Sequence, residues 1–112
     1  MQSDSNEKLK KLEEIFGIEI RNQELFKKAI THSSFTRENE ISSLESYERL
    51  EFLGDAVLKL CISDILYKNF PKYAEGELTK IRSIIVSDNM LADISKQIGL
   101  SDLIILGKQE LK

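Results

Sequence analysis

Three carboxylates, Glu48, Glu51 and Asp55, stand in the stretch YERLEFLGDAVL, from Tyr47 to Leu58. An α-helix advances about 100° per residue, so the three acids share an arc of about 60°, one stripe on one face. Acids so clustered raise one another's proton affinity unless a cation neutralises them. Basic side chains are one answer: Lys59 follows Asp55, and Arg49 follows Glu45, at the i,i+4 spacing that faces ion pairs toward each other. A divalent metal is another. Hard oxygen ligands suit Mg²⁺ or Mn²⁺, and Mg²⁺ takes one or two carboxylates while keeping several waters. A plain solvated acidic face is the third, since acids are rarely buried. Spacing alone leaves all three open.

The helix carrying these acids must position them. Leu50, Leu53, Val57, Leu60 and Cys61 cover the side opposite the stripe, Leu58 and Ile65 widen that surface, and Ile62 and Leu66 return to the azimuth of the acids. A helix apolar nearly all round is normally buried. The expectation is therefore a buried central helix with its acids at one end, aimed into a cleft or an interface. Cys61 reads as a small core residue. Gly54 costs about 1 kcal/mol relative to alanine inside a helix. Its missing side chain permits close approach by another backbone, including one from a second copy of the chain.

Around this helix, periodicity predicts others. Leu9, Leu12, Ile15 and Phe16 define one that Gly17 can end. Leu25, Phe26, Ala29 and Ile30 define the next, with Asn22 as N-cap. Residues 33–45 read as a polar connecting loop, and Ser46 as the cap of the central helix, which Pro71 limits to about Asn69. The stretch EGELTKIRSIIV predicts a further helix, and Ser87 or Asp88 begins one that Gly99 ends. The stretch LSDLIIL reads as a short extra turn or helix. Nothing requires a sheet, and the expected class is all-α. With no linker in view, residues 1–112 read as a single domain.

Composition narrows the function classes. Hydrophobic residues make up 41% and charged residues 31% of 112, which suits a soluble domain. The net charge of −3 gives no basic footprint for nucleic acid, although metal ions or a separate basic domain can supply one. The lone cysteine excludes an internal disulfide, and a zinc site would need further ligands. The amino terminus lacks an apolar signal core, and no run is long enough to span a bilayer, so a cytoplasmic protein without membrane contact is expected. His32 reads as a helix-end packing or hydrogen-bonding residue, and Ser33 and Ser34 as turn formers. Lys80 and Arg82 are candidates to touch phosphate or pair with acids. The stretch EKLKKLEE reads as the solvated face of an amphipathic helix.

The stretch ERLEFLGDAVL resembles the signature motif of the ribonuclease III family, which cleaves double-stranded RNA. The resemblance extends to FKKAITHSSF before it, to LYKNFPKYAEGELTKIRSIIVSDNMLADISKQIGL after it and to LGKQELK at the end. It implies an all-helical endonuclease domain acting as a homodimer on duplex RNA, with Mg²⁺, or Mn²⁺ as a substitute. Glu51 and Asp55 would be catalytic metal ligands. Glu48 would support the site and the dimer contact, and Glu75 matches an acid near the site that is suggested to help with a second metal. Phe52 would insert into the partner subunit, with Gly54 beside it. In a whole protein the implied work is maturation of ribosomal-RNA precursors and of structured transcripts.

The same resemblance calls for an Asp-x-x-Glu pair on a later helix. The only such spacing here is Asp4 to Glu7, at the wrong end, so the remaining two metal ligands are expected beyond Lys112. The family's carboxy-terminal double-stranded-RNA-binding domain is likewise not among these residues. The chain therefore reads as the front, incomplete part of the endonuclease domain, inactive alone. Two other readings compete: a non-catalytic RNA-binding or assembly domain of the same fold, and a helical interaction module whose acids pair with lysine or arginine.

Overall fold

Local end chemistry sets most helix boundaries. The structure, a computed structural model, describes residues 2–111, with side-chain environments for 4–109. Helix α1 spans Gln2–Phe16, and Gly17 follows it with φ of +62°, a left-handed conformation that favours glycine. Helix α2 spans Gln23–Ala29; Asn22 caps it by accepting from the Leu25 N–H at 3.1 Å. Helix α4 spans Glu48–Asn69, α5 Glu75–Ile85 and α6 Asp88–Ile98. Ser87 caps α6 through the Met90 N–H at 3.3 Å, and Gly99 closes it with φ of +85°. A short 3₁₀ turn at Ser101–Leu103 answers the expected extra turn. The fold is all-α; among the described residues the one β-type contact is an isolated bridge between Thr31 and Ile105.

Two expectations about boundaries are corrected. Residues 33–45 are not simply a loop: helix α3 spans Ser33–Glu38, and a 3₁₀ turn spans Ser43–Glu45. Helix α3 forms because the His32 ring accepts the Ser34 N–H through Nδ1 at 3.0 Å, a cap that a Ser/Asp/Asn rule does not flag. Ser46 is not the cap of α4. Tyr47 holds that position, without a side-chain cap bond; the buried Ser46 hydroxyl, one residue earlier, donates to Ser43 O at 2.7 Å and accepts the Glu48 N–H at 3.4 Å.

The core lies elsewhere than expected. Leu9, Leu12, Ile30 and Leu103 form it, with Ile15, Ile20, Phe26, Leu100, Ile104 and Ile105 packed around them. Helices α1 and α2 thus close onto the 100–105 segment. Helix α4 is not a buried central helix. Of its residues only Leu66 is buried, while Leu53, Val57 and Leu60 are 59%, 51% and 70% exposed. Cys61 is exposed as well, not a core residue. The covered face of α4 runs through the half-buried Leu58 and Ile62 to Leu66, and Arg82 of α5 reaches across to the Ser63 hydroxyl at 2.8 Å. An apolar surface on every side says that a helix wants partners, not that each side has one. The radius of gyration is 16.5 Å, where a compact chain of this length would have about 13 Å. Helices α4 to α6 project from the core, and the molecule extends to 51 × 27 × 24 Å.

The end of the chain is tied back to the region around α3. Ile105 donates to Ile30 O at 2.7 Å and accepts from the His32 N–H at 2.9 Å. The Gly107 N–H donates to the Ser34 hydroxyl at 2.9 Å, and the Lys108 N–H to Glu38 Oε2 at 2.6 Å. Gly107 is required here for space: a Cβ would lie 2.7 Å from Glu38 Oε2 and 2.8 Å from the Ser34 carbonyl oxygen. The carboxylate can swing away; the carbonyl cannot. Gly107→Ala is expected to cost about 1–3 kcal/mol as overpacking. Urea unfolding reads this as a lower midpoint, and an unchanged midpoint would contradict the geometry.

Candidate active site on the fourth helix

The acid stripe stands at the amino-terminal end of α4. Glu48 and Glu51 lie in its first turn, where the helix dipole favours negative charge, and Asp55 follows one turn later. All three are exposed. They share the azimuth of Ile62 and Leu66, so the stripe lies on the face that is covered further along the helix. Lys59 meets Asp55 at 3.1 Å, the ion pair that the spacing suggests, but both side chains are at least half exposed. Such a pair contributes little. Glu45 pairs with Lys28 at 3.7 Å rather than with Arg49.

Tyr47 gathers the electrostatics of this end. Burial raises its phenol above the ordinary tyrosine value, and the nearby Glu51 and then Glu48 raise it further. Its ring meets His32 edge-on, with centroids 5.7 Å apart and planes at 63°. Its N–H donates to Thr31 O at 2.9 Å, and its carbonyl accepts the Glu51 N–H at 2.7 Å. The raised phenol has a thermodynamic consequence. The folded state holds the Tyr47 proton more firmly than the unfolded state, whose value is about 10. This contribution is fully present below that value and is lost as pH rises through the folded value. Wild-type stability should therefore fall more steeply above about pH 10 than that of Tyr47→Phe. Urea unfolding on both sides of that pH checks this, and parallel falls would refute it.

The other candidates are dispersed. Glu75 begins α5 and lines a groove of about 430 Å³ with Leu60, Ser63, Asp64, Tyr67 and Arg82, beside the later half of α4. Arg82 serves the α4–α5 contact, while Lys80 is exposed. Among the described residues no three His, Cys, Asp or Glu side chains converge to hold an ion. The donor chemistry nonetheless suits a hard cation: Glu51 and Asp55 are exposed oxygen donors one turn apart, and Mg²⁺ takes one or two carboxylates and keeps waters. They fit such an ion as one edge of a site, not as a closed cage.

Phe52 is 85% exposed, and a Cβ at Gly54 would meet nothing within 4 Å. Within the described residues both positions are left largely open. Sequence reasoning missed Tyr47, Glu38 and Gly107, and read Ser34 as a turn former rather than as the partner of His32 and Gly107. Only Tyr47 carried a signal, as the aromatic residue immediately before the acid stripe.

Comparison with known proteins bears on the family and the fold of the chain. A family model described as Ribonuclease-III-like matches residues 22–112. The chain is 50% identical over 102 residues to Ribonuclease 3 of Clostridium beijerinckii, covering 91% of this chain and 43% of that protein. It is 45% identical over 107 residues to Ribonuclease 3 of Pelotomaculum thermopropionicum, covering 96% and 44%. The chain thus spans less than half the length of these curated relatives. A solved nuclease domain of ribonuclease III from Campylobacter jejuni, described as flexible in a region involved in dimer formation, superposes with a TM-score of 0.78 at 37% identity. That match covers 89% of this chain and 66% of the other. No helix among the described residues is long and apolar enough to cross a membrane.

Proposed function

Because this chain belongs to the ribonuclease III family, we propose that it is part of the endonuclease domain of a Mg²⁺-dependent endoribonuclease that cleaves double-stranded RNA. The observation that carries the reading is the exposed stripe of Glu48, Glu51 and Asp55 on a helix whose sequence matches the family. Glu51 and Asp55 would hold the metal ion, supported by Glu48, with Glu75 as a further contributor near a second ion. When bound, such an ion lowers the pKa of a water and stabilises charge on phosphate oxygens. The chain's own part is to hold two carboxylates in fixed register on α4, with Tyr47 beside them. Duplex RNA would be met through shape, 2′-hydroxyls and phosphates rather than base sequence. We place the protein in the cytoplasm as a homodimer, with precursor and transcript processing as its work.

The test is cleavage of a duplex RNA by the natural protein with and without Mg²⁺, beside single-stranded RNA and duplex DNA of the same sequence. Mg²⁺-dependent cutting confined to the RNA duplex is expected; equal cutting of all three, or none, would defeat the reading. A polypeptide of residues 1–112 is expected to cut at least about a hundredfold more slowly than the natural protein. The described residues assemble only one edge of a metal site, and equal rates for the two would show that edge to be sufficient.

A second reading, a non-catalytic RNA-binding or assembly domain of this fold, fits the finding that among the described residues only one edge of a metal site is assembled. Duplex binding that persists in EDTA, without cleavage in Mg²⁺, would select it.

A further inference from the structure

Helix α4 starts without a side-chain cap of its own, although its first turn carries Glu48 and Glu51. The Ser46 hydroxyl accepts the Glu48 N–H at 3.4 Å, and the shorter hold on that start comes from the segment before α3. The Tyr47 N–H donates to Thr31 O at 2.9 Å, and the Tyr47 ring lies edge-on against His32 with centroids 5.7 Å apart. The His32 ring is itself locked. A backbone N–H can only donate, so Nδ1 accepts the Ser34 N–H at 3.0 Å, and the neutral ring carries its proton on Nε2. The Ser34 hydroxyl stands 2.7 Å from the same Nδ1 and accepts the Gly107 N–H at 2.9 Å. A ring flipped about its axis would lose both Ser34 contacts. The buried Ser34 thus fixes His32, with Gly107 behind it.

We propose that His32 is a positioning residue for the acid-bearing turn of α4: its ring, locked by Ser34 and Gly107, holds Tyr47 and so sets the direction in which Glu48 and Glu51 project. His32 touches neither acid and acts only through Tyr47. This inference rests on the proposed endonuclease reading for its effect on rate, but not for its effect on Tyr47. Displacing a ligand-bearing turn by a fraction of an ångström weakens the alignment on which the rate depends, without removing any group that meets the substrate.

Two substitutions separate the ring from the cap. His32→Asn keeps an oxygen acceptor for the Ser34 N–H, so α3 stays capped, but removes the ring from Tyr47. His32→Phe keeps a ring against Tyr47 and removes the acceptor. In the natural protein His32→Asn is expected to melt with the wild type and to exchange its Tyr47 amide about tenfold faster. Its kcat on duplex RNA should fall about tenfold to a hundredfold, with KM changed by less than roughly twofold. The Mg²⁺ concentration for half-maximal rate should rise several-fold. His32→Phe should lose helical stability instead and retain more of kcat than His32→Asn at a temperature where both are folded. Wild-type kcat in a folded His32→Asn protein overturns the proposal, as does unchanged Tyr47 exchange, which would show that the ring does not hold the turn. A wild-type protein that cuts no duplex RNA overturns the endonuclease reading alone; the hold of His32 on Tyr47 is then decided by amide exchange.

Discussion

Glu51→Gln or Asp55→Asn, made in the natural protein, should lower the rate of duplex-RNA cleavage by roughly three orders of magnitude, about 4 kcal/mol of transition-state stabilisation. Each substitution keeps the shape of the side chain and removes one negative charge. A neutral amide is a poor ligand for a hard divalent ion, so the loss should appear in kcat and in a raised Mg²⁺ requirement rather than in duplex affinity. Folding should be spared. Both acids are exposed, and the Asp55–Lys59 pair at 3.1 Å is a surface contact. Removing it should change unfolding free energy by no more than about 0.5 kcal/mol. Single-turnover cleavage across a Mg²⁺ series, with urea unfolding of the same samples, separates the two effects. A variant that cleaves at the wild-type rate would remove its residue from the metal site. A variant that is slow and also unstable would mean that the acid matters to the fold.

What the sequence disclosed follows the range of the interactions involved. Asn22, Ser87, Gly17 and Gly99 were readable as helix ends because caps are made with neighbours one turn away. The span of α4 was readable because apolar periodicity persists until Pro71 stops it. The cap of α3 was not, because a histidine ring replaces the usual hydroxyl or carboxylate acceptor. Nor was the tie between Ser34 and Gly107, which depends on two segments 73 residues apart in the chain. Periodicity counted the apolar sides of α4 correctly and misjudged which are covered: Leu58, Ile62 and Leu66 lie on the covered face, while Leu53, Val57 and Leu60 are more than half exposed.

The candidate site shows the same division. That Glu48, Glu51 and Asp55 share one stripe is a property of a single helix, and spacing is enough to reveal it. The position of Glu75 is a property of how α5 packs on α4. It falls beside Ser63, Asp64 and Tyr67, and sequence matching could name the residue without locating it. Tyr47 was visible as a letter, but its role depends on Thr31 and His32 meeting it across the turn.

Phe52→Ala should weaken self-association of the protein by about thirtyfold or more, the effect of losing a contact worth about 2 kcal/mol. Phe52 is 85% exposed, the extreme among the large apolar side chains of the described residues, and it sits one position after Glu51. An aromatic ring held outward on a well-formed helix costs nothing to pre-organise and contributes its whole apolar surface on contact. Gly54, with open space where a Cβ would stand, leaves room for a partner backbone to approach the same stretch. Among the described residues the ring is left 85% exposed, so its removal should leave the diluted protein's unfolding free energy within about 0.5 kcal/mol. Sedimentation equilibrium of wild type and variant over a concentration series measures the change directly. Gly54→Leu gives an independent check, since a bulky side chain there would block close approach and weaken association in the same direction. Equal association constants for all three proteins would mean that Phe52 faces something other than a second copy. Weaker association together with slower cleavage at low protein concentration, recovered at high concentration, would tie the dimer contact to the acid stripe one residue away.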